Sequence, residues 1–328
     1  MEYGKRAASL YVYIPDKGAP IFFAIAYASS AAGHIWQCYR CKCFKLAGLH
    51  PVCAVVFTLG YSLRAYSAFD ARYLYTTQNL IIYILSQVFI YVCPPLLELA
   101  NYRVLGRIFY YVPHKAPLPP NRVLSTFGAL IALVELLNSL GVALASNPSS
   151  SKTQQGLGSH LTVAAVAVQL CVVASCVALA GLFHRRCIRA GIRSRAALTP
   201  VKTLYASMAL ILVRCVYRLV EHLGNTTVHL DDLEALKTLS PILRYEWFFY
   251  VFEATLMFLN SVLWNVWSPG RYLPRNHLVH LASDGVTEVE DESKPDNRPL
   301  WAKFGSMMTF GLFFQRRYTE SLIRLTDV

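Results

Sequence analysis

The stretch LTVAAVAVQLCVVASCVALAGLF, residues 161–183, decides the fold, because it runs for 23 residues without a charged side chain. The hydrocarbon core of a membrane is about 30 Å thick, and a helix that crosses it needs about 20 predominantly apolar residues. This stretch therefore predicts a membrane-spanning helix.

The rest of the chain repeats that pattern. Its 328 residues are 55% hydrophobic and 15% charged, whereas in soluble domains about 25% of residues are charged. Apolar stretches of spanning length lie at 20–39, 49–68, 77–100, 123–146, 160–183, 201–222 and 245–267. The first is the weakest, since it is rich in small and polar residues. We predict an all-α membrane protein, a seven-transmembrane helix bundle whose small residues allow tight packing.

Loop charges predict the orientation of the bundle. The loops after the first, third and fifth spans carry thirteen Lys and Arg residues, against seven in the N-terminal tail and the other loops. Because such residues are retained on the cytoplasmic side, we expect the N-terminus outside and the C-terminus in the cytoplasm. The N-glycosylation sequon at Asn225 falls in a loop that this topology places outside.

The predicted regions are an extracellular tail (1–19), the membrane domain (20–268) and a cytoplasmic tail (269–328). The acidic residues 288–293 are expected to be disordered. Residues 300–318 are apolar with basic ends, which favours a segment on the membrane surface over an eighth span. The net charge of +12 lies mainly beside predicted membrane ends, and indicates a surface facing solvent or anionic lipid rather than nucleic acid.

Three cysteines lie close together in CYRCKC, residues 38–43. Juxtamembrane thiols such as Cys38, Cys41 and Cys43 are candidates for palmitoylation, and they could also form part of a soft metal site. The predicted loop has no histidine or second cysteine pair to complete a metal site, so free or acylated thiols are favoured. No disulfide is expected, because the predicted outer loops contain no cysteine.

Charged residues also occur inside the predicted spans. In LVRCVYRLVEHLG, residues 212–224, spacings of four and three put Arg214, Arg218 and Glu221 on one helix stripe. Further charges inside or at the ends of spans include Arg64, Glu135, Glu246 and Glu253. A charge at the centre of a membrane costs at least about 2.5–3.5 kcal/mol unless it is paired or hydrated, so these side chains are expected to face the bundle interior.

Two interpretations of this charge set stay open. In the first, an outward-accessible polar cavity uses its arginines to bind an anionic head group, while Glu221 and Glu253 bind an amine or balance the arginines. In the second, the same residues form a static ion-pair network that locks the helices together.

Four segments resemble the fungal lipid-translocating exporter family, the RTA-like seven-helix proteins. They are GYSLR at 60–64, CPPLLELANYRVLGRIF at 93–109, LVRCVYRLVEHLG at 212–224 and YEWFFYVFEATLMFLNSVLWNVWSPG at 245–270. The resemblance covers residues 13–270. It implies a protein that exports or flips lipids, sphingoid bases among them, with a link to stress and drug resistance.

The resemblance places family positions on Tyr102, Gly106 and Arg107 as well as on residues of the charge set. The predicted ligand-binding residues are Tyr61, Arg64, Glu135, Gln169, Arg214, Arg218, Glu221, Glu246, Tyr250 and Glu253. The sequence departs from the family pattern at Phe57 and Ile131, where carboxylates are expected, and at Asn138, where a glutamine is expected. These departures suggest a different ligand from that of better-known relatives.

Other classes of protein fit the sequence less well. A membrane zinc hydrolase would need about three ligands at one depth, but His34 and His222 are predicted at opposite ends of the bundle, so we expect neither an enzyme nor a metal or cofactor. No phosphate-binding loop for ATP is present. A seven-helix receptor or sensor of a lipid shares the topology and remains the alternative. The expected partners are membrane lipids, in the plasma membrane or an endomembrane.

The topology makes a first testable prediction. Asn225→Gln, expressed in a eukaryotic cell, should remove a glycan and speed migration on a denaturing gel as much as enzymatic deglycosylation does. Asn147→Gln is the matched control, because Pro148 disqualifies that site. Asn225 protected from modification by an intact membrane would contradict the orientation.

Overall fold

The computed structural model describes residues 15–69, 77–146, 151–192, 194–223, 241–276, 278–282, 285 and 287–290. The predictions for Asn225 and for residues 300–318 lie outside the described residues.

The described chain is built almost entirely from helices. They are α1 (Gly18–Cys41), α2 (Phe44–Ala47), α3 (Leu49–Phe69), α4 (Thr77–Tyr111), α5 (Pro120–Ser146), α6 (Lys152–Arg189), α7 (Arg195–Leu223), α8 (Pro241–Arg244), α9 (Glu246–Phe249), α10 (Leu256–Val266) and α11 (Pro269–Tyr272). A 3-10 turn (Pro113–Lys115) follows α4, and a π-helical turn (Tyr250–Thr255) joins α9 to α10. Strands β1 (Val279–Leu281) and β2 (Glu288–Glu290) form an antiparallel hairpin.

Six helical segments within the described residues are long and apolar enough to cross a membrane. They are Leu49–Phe69, Asn79–Tyr111, Arg122–Ala145, Thr153–Arg189, Arg195–Leu223 and Glu246–Tyr272. They coincide with the second to seventh predicted spans, so the protein is a multi-pass, all-α membrane protein. Helix α1 coincides with the first predicted span, and its 24 residues give a length of about 36 Å, but it is less apolar than the other six.

The observed helices extend beyond the predicted apolar stretches. Helix α4 continues to Tyr111, and α6 begins at Lys152, where the Ser151 side chain and Gln154 form a capping box. Helical hydrogen bonds satisfy the backbone in water as well as in lipid, so a helix need not end where its side chains become polar. The apolar pattern alone therefore predicts the membrane-crossing part and misses the rest.

Near the middle of α7, Arg214 faces the bundle and two neighbouring apolar residues face outward. Arg214 is 5% exposed, whereas its neighbours Val213 and Val216 are 45% and 47% exposed. The expected inward orientation is confirmed for Arg214.

Helices α5 and α6 approach each other at two glycines. A Cβ atom added to Gly158 would lie 2.6 Å from the backbone nitrogen of Ala145 and 2.6 Å from the carbonyl oxygen of Gly141. Since van der Waals packing rather than water exclusion holds helices together in lipid, this backbone contact requires the absence of side chains on both sides.

The C-terminal hairpin closes one end of the bundle, which we call the hairpin end. Arg107 donates hydrogen bonds to the carbonyl oxygens of Asn276 (2.8 Å), Pro274 (3.4 Å) and Val279 (3.4 Å). Tyr111 donates to Glu288 at 2.7 Å. The expectation of disorder for residues 288–293 is wrong at 288–290, because strand pairing and Tyr111 hold these residues in place.

The cysteine cluster lies at the same end of the bundle. Cys38 and Cys43 are buried and Cys41 is partly exposed, and a Cβ atom on Gly270 of α11 would lie 2.5 Å from the Cys43 sulfur. Acylation therefore stays a prediction, with Cys41 as the accessible thiol of the three.

The glycine contact makes a prediction about stability. Gly158→Ala should lower the free energy of unfolding by about 1–3 kcal/mol, because the added methyl group overlaps backbone atoms of α5. Gly156→Ala, on the same helix with nothing within 4 Å of its Cβ position, should be neutral or stabilising by up to about 1 kcal/mol. Thermal unfolding of purified protein in detergent measures both, and equal melting temperatures would contradict the contact.

Candidate functional site

The predicted stripe on α7 is part of a buried ionic network. Arg214 donates from Nε to Oε1 of Glu253 at 2.7 Å, and the two side chains are 6% and 0% exposed. A buried pair of this kind is stable only while both members are present, because either alone is an uncompensated charge. Arg214 thus joins α7 to the π-helical turn.

The two carboxylates that pair with Arg64 and Arg214 lie before and inside the π-helical turn. Its extra residue rotates the helix that follows it relative to the helix before it. Glu246 lies before the turn and pairs with Arg64 of α3, whereas Glu253 lies inside the turn and pairs with Arg214 of α7. Tyr27 of α1 donates to the Ala254 carbonyl oxygen in this turn at 3.0 Å.

Arg64 forms a separate polar group at the N-terminal end of the π-helical turn. Its Nη2 donates to Glu246 at 2.8 Å and its Nε to the Tyr250 hydroxyl at 3.2 Å. The guanidinium also lies 4.4 Å from the centre of the Phe249 ring. Glu246 accepts a further hydrogen bond from the backbone of Asp16 at 2.7 Å, which ties the start of the described chain to this group.

Arg218 differs from the other two arginines because its ion pair lies within one helix. Its Nη1 donates to Glu221 at 2.5 Å and its Nη2 to the Nε2 atom of His222 at 3.2 Å. The guanidinium also lies 4.6 Å from the centre of the Tyr91 ring on α4. Arg218 can therefore release Glu221 without breaking an ion pair between helices.

A small polar cavity lies between α4, α5, α6 and α7. Its lining residues are Tyr91, Pro95, Glu135, Asn138, Val166, Gln169, Arg214, Arg218 and His222. Its volume is about 40 Å³, enough for a few water molecules at about 10–15 Å³ each. A lipid head group would fit only after the helices separate.

Glu135 is a carboxylate on the cavity wall. It is half-buried and, within the described part of the chain, makes no hydrogen bond or salt bridge to another residue. The oxygen of the neighbouring Asn138 amide is buried and accepts no hydrogen bond from a described residue. These groups leave acceptor capacity on one wall of the cavity.

The structure divides the predicted ligand-binding set into separate groups. Glu135, Gln169, Arg214 and Arg218 line the cavity, and Glu221 and Glu253 pair with its two arginines. Arg64, Glu246 and Tyr250 form the group described above. Tyr61 lies in an aromatic cluster, its ring centre 5.5 Å from that of Tyr27 and 5.4 Å from that of Phe23.

Sequence reasoning missed Glu98, a carboxylate that is hydrogen-bonded to the cavity residue Gln169. Glu98 on α4 is fully buried, and its Oε1 accepts a hydrogen bond from Nε2 of Gln169 at 2.5 Å. The available signal was a carboxylate inside the third predicted span, 77–100.

A second buried polar network was also missed, since its residues are uncharged. Ser207 accepts from the Asn101 amide (2.8 Å) and the Trp264 indole (3.1 Å), and it donates to the Asn260 side chain at 2.7 Å. This network joins α4, α7 and α10 beside the ion pairs.

The Arg214–Glu253 pair predicts a strong coupling in stability. Glu253→Gln should destabilise the protein by about 3–5 kcal/mol, because it leaves Arg214 buried without a counter-charge. Adding Arg214→Met should restore part of that loss, since the two sites act as a unit. Thermal unfolding in detergent tests the cycle, with Glu288→Gln as a matched control outside the bundle, and additive effects would contradict the coupling.

Comparison with known proteins gives consistent matches. A family model described as RTA1 like protein matches residues 51–276. The chain is 50% identical over 312 residues to the lipid-translocating exporter-like protein RTA1 of Leptosphaeria maculans, covering 94% of this chain and 60% of that relative. It thus spans 60% of the length of that relative.

Two further relatives are more distant. A lipid-translocating exporter-like protein RTA1 of Ajellomyces capsulatus is 31% identical, over 68% of this chain and 70% of the relative. The probable lipid transporter atnI of Emericella nidulans is 22% identical, over 81% of this chain and 68% of the relative. No solved structure matches the chain significantly. The resemblance carried by the four quoted segments is confirmed.

Proposed function

We propose that this chain, which belongs to the RTA1-like protein family, translocates a lipid or lipid-like amphiphile through the cavity between α4, α5, α6 and α7. The observation that carries the proposal is a buried cavity with arginines on one wall and an unpaired carboxylate on the other. Relatives named as lipid-translocating exporters or as a lipid transporter support the same function.

The proposed ligand is a sphingoid base or a phospholipid-like amphiphile. Glu135 supplies a carboxylate for an ammonium group, and its position opposite α7 leaves room for a polar chain between the two walls once the cavity opens. Arg218 supplies a planar guanidinium for hydroxyl or phosphate oxygens. Arg214 stays with Glu253 and holds the site in shape.

Arg218 is the proposed gate of the cavity. The pairs Arg64–Glu246 and Arg214–Glu253 connect different helices, so breaking either loosens the bundle. The Arg218–Glu221 pair lies within α7, so the guanidinium can exchange Glu221 for a ligand at the cost of local rearrangement. Ligand contact at Arg218 is therefore compatible with a folded protein.

The proposal includes a topology and a membrane. Helix α1 is taken as a seventh span, with the N-terminus outside and the hairpin end in the cytoplasm of a fungal cell, where the basic loops lie. The plasma membrane is the proposed location, with a role in stress or drug resistance. No chemical conversion of the lipid is included.

Arg218 provides the test of the proposed function. In vesicles that hold the purified protein, Arg218→Ala should reduce movement of labelled sphingoid base or phospholipid by about tenfold or more, since a hydrogen bond to a charged group contributes about 1.5–3 kcal/mol. Arg218→Lys should rescue poorly because it loses the planar fork. Arg189→Ala, an exposed arginine at the end of α6, is the matched control.

The wild-type measurement decides between transport and sensing. Flux no greater than in empty vesicles, across several lipids and with a proton gradient present, would overturn translocation. The receptor or sensor function would then replace it.

A further inference from the structure

We propose that Glu98 is the proton-binding group that couples lipid movement to a proton, so that an ammonium head group enters the cavity as a proton leaves. This inference rests on the proposed function and adds its energy source. It concerns a carboxyl group that lies outside the cavity lining and is joined to it by one hydrogen bond.

Glu98 is buried without a cation of its own. Its side chain is 0% exposed, Oε1 accepts from Gln169 at 2.5 Å, and Oε2 accepts no hydrogen bond from any described residue. Because one neutral amide donor serves its two oxygens, an ionised carboxylate is poorly stabilised at this position. The same environment suits the neutral acid.

The titratable and charged groups around Glu98 influence whether its carboxyl group holds a proton. They are Tyr102 on α4, Glu135 on α5, Cys176 on α6, and Arg214 and Cys215 on α7. Arg214 is the cation among them, and it is already bound to Glu253 at 2.7 Å. A further positive charge entering the cavity would therefore alter the balance at Glu98.

Gln169 links Glu98 to the ligand. Its amide donates to Glu98, while the same side chain lines the cavity that contains Glu135. When an ammonium group binds Glu135, its field favours the ionised form of Glu98. The O–H bond then breaks, its electron pair stays on the carboxylate oxygen, and water that enters as the cavity opens for the ligand takes up the proton. Departure of the ammonium group reverses the step, so one cation exchanges for one proton.

The first experiment measures transport against a pH gradient. The probe is a labelled long-chain base with a trimethylammonium head group, which cannot cross the membrane as a neutral amine. In vesicles that hold the full chain, a gradient of one pH unit should drive about tenfold accumulation, because a one-for-one exchange converts a tenfold proton ratio into a tenfold ligand ratio. Glu98→Gln should reduce the accumulation ratio to one, and Glu98→Asp should retain part of it.

Glu288→Gln makes the same chemical change in the hairpin and should leave the ratio at the wild-type value. Wild-type flux that is unchanged by the pH gradient would overturn proton coupling while leaving translocation intact. A gradient response that survives in Glu98→Gln would overturn the assignment to Glu98. Absence of any wild-type flux would overturn translocation, and the coupling with it.

A binding experiment tests the assignment to Glu98 independently of any transport measurement. Addition of the same probe to purified protein in weakly buffered detergent should release about one proton per molecule bound, as a pH indicator reports. Proton release absent from the wild type would overturn the coupling, whatever the folding of the variants. Release that disappears in Glu98→Gln, with probe binding retained, would support it.

Discussion

The need to neutralise charge inside a membrane protein is the constraint on which the rest of this structure depends. Arg214 and Glu253 meet at 2.7 Å with almost no exposure, and their contact fixes α7 against the helix that contains the π-helical turn. Arg64 and Glu246 do the same between α3 and α9. These two pairs constrain the relative rotation of three helices: α3, α7 and the helix that contains α9 and the π-helical turn.

Hydrogen bonds between neutral side chains extend this ionic framework toward the hairpin end. Ser207 connects Asn101, Asn260 and Trp264, and Ser30 accepts from Asn265 at 2.7 Å. Because lipid supplies little hydrophobic drive for helices to associate, contacts of this kind and close backbone approach take over that role. The bundle interior therefore combines these polar contacts with a core of buried apolar and aromatic side chains.

The apolar pattern of the sequence predicted six spanning helices correctly because length and hydropathy are local properties. The spacing of Arg214, Arg218 and Glu221 likewise predicted a shared stripe, since helical periodicity is local too. Pairing was harder, because it depends on how each helix is rotated in the bundle. The π-helical turn at Tyr250–Thr255 has no sequence signature and changes that rotation within a single helix.

Two other features escaped prediction for related reasons. Glu98 was overlooked because its burial and its hydrogen bond to Gln169 depend on how the helices assemble. The hairpin was missed because its acidic strand has little tendency to form a sheet alone, and Tyr111 and Arg107 supply the contacts that hold it.

The close contact between Gly141 and Gly158 has a mechanical consequence. Backbone in direct contact with backbone leaves no side chain to repack, so α5 and α6 form one stiff unit that carries Glu135 and Gln169 together. The facing wall, α7, carries Arg214 and Arg218. Any widening of the cavity then moves Glu135 away from the arginines of α7, and the attraction between these opposite charges favours the closed form.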